Sequence, residues 1–106
     1  MRFHFILQDE GGRQIDAVFD AAGVLEPLLP LPDDHSYHCL RLMARHGDTL
    51  FDHLQIDAFL AELRRIRTRA QKPQDHALLD RIENLARRVH LTSRVCLKVA
   101  QDIRDT

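Results

Sequence analysis

The chain predicts an α+β fold, a mainly antiparallel sheet of about five strands with an antiparallel helical hairpin packed on one face. Three observations carry this. Short runs of alternating apolar residues recur, first as Phe3, Phe5 and Leu7. Two stretches of helical period between Asp57 and His90 are broken once, at Lys72-Pro73. A further alternating run, Val95, Leu97 and Val99, follows them. With 106 residues, 44% hydrophobic and 29% charged, the chain is long enough for a single core and is read as one domain over 1–106.

The first strand is expected at about 2–8. Asp9-Glu10-Gly11-Gly12-Arg13 then supplies turn chemistry, because glycine accepts the positive φ of tight hairpins. The return strand is placed at 14–19, with Ile15, Ala17 and Phe19 as its apolar face. Three prolines, Pro27, Pro30 and Pro32, remove backbone donors from the next apolar segment. A packed loop with one short helical turn is expected there, closing at Asp33-Asp34.

Alternation resumes from Ser36, with His38, Leu40 and Leu42 on one side and Tyr37, Cys39, Arg41 and Met43 on the other. This predicts a third strand at 37–43, a turn at Arg45-His46-Gly47-Asp48, and a fourth strand at 49–52. Asp57 is the expected N-cap of a helix over 58–71, with Phe59, Leu60, Leu63, Ile66 and Ala70 on one face. Pro73 ends it. Asp75 caps a second helix over 76–90, whose Leu78, Leu79, Ile82, Leu85, Ala86 and Val89 form a wide apolar stripe. A closing strand at 94–100 and a polar tail from Gln101 complete the chain.

Charge is unevenly distributed. Residues 1–63 hold 4 basic and 11 acidic side chains, whereas residues 64–106 hold 11 basic and 5 acidic ones. Such an asymmetry can steer a charged partner. The apolar start at Phe3–Leu7 stops at Gln8-Asp9-Glu10, too short for a signal peptide, and no later run approaches a membrane span. Cys39 and Cys96 stand far apart and are read as free thiols. The expectation is a cytoplasmic protein without membrane association.

Motifs of catalysis are not found. The chain has no phosphate-binding glycine loop, no nucleophile elbow and no paired Cys-His motif. The cluster His35, His38 and Cys39 invites a metal, but in a strand His38 points away from both neighbours, and no second pair of zinc spacing exists. No metal, cofactor or catalytic residue is assigned. The only basic run, Arg64-Arg65-Ile66-Arg67-Thr68-Arg69 with Lys72, suggests phosphate contacts. Arg87-Arg88, however, is expected at the opposite end of the helical pair, which breaks any continuous groove.

The layout from Tyr37 through Gln55, with Gly47-Asp48-Thr49 leading to Phe51 and then a helical hairpin, resembles small cytoplasmic immunity proteins of bacterial polymorphic-toxin systems. The resemblance implies a non-enzymatic protein that occludes a cognate toxin domain. No residue role is transferred by it. An acidic surface suits an inhibitor of a basic target, and the candidate partner-binding residues are Glu26, Asp33, Asp34, Asp48 and Asp52. The alternative is a small nucleic-acid-binding or regulatory module using the arginine-rich helix.

Overall fold

A computed structural model describes residues 2–31, 33–45, 48–92 and 94–102. The expected turn residues His46 and Gly47, Pro32, and the end of the polar tail at 103–106 lie outside the described residues.

The chain runs β1 (Arg2–Asp9), β2 (Gln14–Phe19), a 3₁₀ turn at Glu26–Leu28, α1 (Cys39–Arg45), β3 (Thr49–Phe51), α2 (Ile56–Arg67), α3 (Pro73–Leu91) and β4 (Val95–Asp102). The strands form an antiparallel sheet in the order β2-β1-β4-β3. It has four described strands where about five were expected. The first hairpin forms as expected: the Asp9 carboxylate accepts the amides of Gly11 and Arg13, and Gly12 takes a φ of 82°.

Alternation puts Phe3, Phe5, Leu7, Val18, Phe51, Val95, Leu97 and Val99 on the face that is buried. Phe5 sits opposite both Val18 and Val99, and Leu97 sits opposite Phe51. Phe59 of α2 packs against this face, with ring centroids 5.1 Å from Phe51 and 6.4 Å from Phe5. Burying a side chain of this size stabilises by about 2–3 kcal/mol. One assignment inverts: in β2 it is Val18 that faces the core, while Ala17 and Phe19 lie on the other side of the sheet, where Phe19 stacks on His4 at 4.1 Å. Ile15, 45% exposed, is on neither packed layer because the register shifts beside Leu7 and Gln8.

The helical hairpin is antiparallel. Cross-pairs run in opposite directions along α2 and α3: Asp57 with His90, Arg64 with Glu83, and Arg67 with Asp80. Pro73 opens α3 at its first turn, where its missing N–H costs nothing, and the Asp75 carboxylate accepts the Lys72 amide. Asp57, expected as an N-cap, is inside the first turn of α2, which starts at Ile56. The lead-in is organised by Asp52 instead, whose Oδ1 accepts from Leu54 and Gln55.

The largest departure is the segment expected as a strand over 37–43. It forms α1, because the buried residues Cys39, Leu40 and Met43 follow helical spacing and a carboxylate from α2 organises its start. Glu62 is 6% exposed, and its oxygens accept the amides of His38, Cys39 and Leu40. A negative charge on the unpaired amides of a helix N-terminus is favourable, and here it also satisfies donors that burial would otherwise orphan. Asp20 does the same for the proline-rich loop, accepting from Val24 and Leu25 while 1% exposed.

The outer strand β2 carries its own seal. Asp16 accepts the Ala17 amide with Oδ1 at 2.8 Å and the Arg88 guanidinium with Oδ2 at 2.7 Å.

Candidate functional site

Because β1 and β3 both run antiparallel to β4, their C-terminal ends meet the start of β4 at one end of the sheet. The β1–β2 turn, the β3–α2 turn and the C-terminus of α3 converge there on a cleft of about 780 Å³. Its wall is apolar where Val89, Leu91 and Val95 contribute. Its polar lining is Asp9, Glu10, Asp52, His53, His90, Thr92, Arg94 and Cys96. Three acidic residues and one arginine thus line the cleft, and Glu10 lies 3.8 Å from Arg94.

Two of the carboxylates are held by their own turns. Asp9 and Asp52 each hold two backbone amides of their own turn through Oδ1. His90 is fixed by Asp57, with Nε2 2.7 Å from Oδ1. Arg94 adopts a φ of 62°, a left-handed conformation that costs a non-glycine residue about 1 kcal/mol. Leu91, in the lining, is 83% exposed, and Leu54, in the same turn as Asp52 and His53, is 79% exposed.

The residues expected to bind a partner do not form one patch around this cleft. Asp52 lines it. Asp48, before β3, approaches Lys98 at 3.6 Å. Glu26 lies in the 3₁₀ turn, while Asp33 and Asp34 lie in the loop ahead of α1. Asp34 accepts the hydroxyl and amide of Ser36, which together with Arg65 and Arg69 hold its carboxyl below the usual carboxylate range.

The arginine run is engaged within the fold. Arg64 and Arg67 pair with Glu83 and Asp80 of α3. Arg65 donates to the carbonyl and hydroxyl oxygens of Ser36 and lies 4.0 Å over the Tyr37 ring, and Arg69 donates to the Leu28 carbonyl. Arg87 also reaches Glu83, so the basic clusters touch there through Arg64 and Arg87, while Arg88 turns to Asp16 and Arg65 and Arg69 to the loop ahead of α1. The Cys39 thiol is pushed up to about 12 by burial and by the neighbouring Glu62 carboxylate, which removes it as a nucleophile at neutral pH. Among the described residues no group of three His, Cys, Asp or Glu side chains is arranged to hold a metal, and no helix is long and apolar enough to cross a membrane.

No protein-family model matches the chain, nor does any curated protein or solved structure.

The sequence pointed to Asp52 as a partner-binding residue and to His53 only as the polar end of a strand beside it, and it gave no sign of Asp9, Glu10, His90 and Arg94 as site residues. Asp9 and Glu10 carried the signature of a hairpin turn, which they are, and that explanation was sufficient without a cleft. Bringing them to Asp52 depends on the strand order, because β1 and β3 are neighbours only through β4.

Proposed function

We propose that this is a non-enzymatic binding protein of the immunity or antitoxin type, which docks its cleft end on a basic surface of a cognate toxin domain and covers it. The observation that carries the reading is the coincidence of Leu91, 83% exposed, with the acidic residues of the same cleft, next to Leu54, which is 79% exposed and follows the lining residue His53 in the chain. Isolated surface leucines are ordinary, whereas bare apolar side chains beside fixed charges have the composition of an interface centre. Rigid carboxylates speed encounter with a basic target and penalise acidic ones. The engagement of Arg64, Arg65, Arg67 and Arg69 within the fold favours this over phosphate binding along α2.

Co-expression with the product of the adjacent reading frame tests it. Growth arrest caused by that product is expected to be relieved by the wild-type chain. The Leu54→Asp/Leu91→Asp variant should fold with an unchanged melting temperature yet fail to relieve it. Equal protection by the variant would remove the cleft end as the docking surface.

A further inference from the structure

The shape and lining of the cleft limit what it can accept. A cavity of about 780 Å³ is larger than one side chain and suits a short segment of extended chain. Its interior pairs an apolar wall, Val89 and Val95, with the carboxylates of Asp9, Glu10 and Asp52. Lysine and arginine have the matching form, an aliphatic stem that packs on apolar surface and a cationic head that seeks carboxylate oxygens. Arg94 offsets one of the three acidic residues, leaving an acidic surplus over arginine in the lining.

We infer that the cleft is a receptor for a basic peptide segment of the partner protein, with one Lys or Arg side chain entering between Asp9 and Asp52. This deepens the reading of the cleft end as a docking surface and rests on it. A peptide, rather than a free polyamine, is the occupant because the lining residue Leu91 would stay bare over a small cation, whereas an apolar residue flanking the basic one would cover it.

The probe is a capped tripeptide, acetyl-Leu-Arg-Leu-amide, titrated into the full chain while the backbone amide resonances are followed by NMR. Saturable shifts are expected at Leu54, Thr92 and Arg94, with the glutamine analogue acetyl-Leu-Gln-Leu-amide binding about tenfold more weakly. The Asp9→Asn/Asp52→Asn variant keeps an oxygen for each turn's amides, so it should retain the wild-type spectrum elsewhere while losing about tenfold or more in affinity for the arginine peptide. Equal binding of the two peptides, or no shift at these amides, overturns the inference. Spermidine shifting the same resonances as tightly as the peptide overturns it too. If the peptide fails while Leu54→Asp/Leu91→Asp still abolishes protection in cells, the basic-segment receptor is wrong and the docking surface stands. If the peptide binds but the leucine variant protects fully, the inhibitor reading is the one that fails.

Discussion

At the scale of single residues, two carboxylates show how differently charge is used. Glu62 carries no mark in the sequence beyond an acidic position on a helix, because sequence cannot show which amides a carboxylate will meet across 22 to 24 positions. Removing it as Glu62→Ala leaves the buried amides at Cys39 and Leu40 without partners, and unfolding by urea should show a loss of about 3 kcal/mol. Glu62→Gln keeps one accepting oxygen and should lose about half as much. Asp34 behaves differently. Its ordinary value of 3.8 is lowered in the folded state, first by the Ser36 hydroxyl, then by the Ser36 amide and the arginines. A depressed carboxyl stabilises the fold above its unfolded value, and that contribution disappears as pH falls through the folded one. Asp34→Asn should therefore melt below wild type at neutral pH and match it once acid has protonated both states, as thermal denaturation across pH would reveal.

At the scale of elements, what was legible depended on whether a periodicity had competitors. The hairpin of β1 and β2 and the strand β4 form close to where they were expected, whereas α2 ends at Arg67 instead of 71 and α3 starts at Pro73 instead of 76, with Lys72 and not Asp75 as its N-cap. The segment 37–43 had two readings: Leu40 and Leu42 alternate, but Cys39, Leu40 and Met43 also fit a helix, and the deciding contribution, Glu62 on the α1 amides, is non-local. In β2 the apolar residues Ile15, Ala17 and Phe19 outnumber Val18, so pattern alone chose the wrong face. The junction of α3 with β4 yields a prediction. Arg94 holds its left-handed φ of 62° and, among the described residues, approaches the exposed Glu10 at 3.8 Å. Arg94→Gly relieves the strain and should raise stability by about 0.5–1 kcal/mol, read as a higher melting temperature.

At the scale of the whole molecule, the acidic first half and basic second half of the sequence do not become two poles. Folding ties them across the halves: Asp16 to Arg88, Asp48 to Lys98, Asp57 to His90 and Glu10 to Arg94. These pairs are solvent-accessible, and exposed pairs contribute little and are screened. Raising sodium chloride to about 1 M should accordingly change unfolding stability by less than about 1 kcal/mol, while weakening a complex made at the cleft end. The candidate site was legible only as far as Asp52, since its other members gather through sheet order rather than through nearness in sequence.

The doubly engaged carboxylate of Asp16 has a consequence for assembly. An outermost strand is a template on which another chain can crystallise its own hydrogen bonds, and the exposed Ile15 would reward such growth. By occupying the Ala17 amide and holding Arg88 across it, Asp16 denies that template a donor and places a cation beside it. An added strand would therefore have to displace the Asp16 carboxylate from the Ala17 amide before it could pair along this edge.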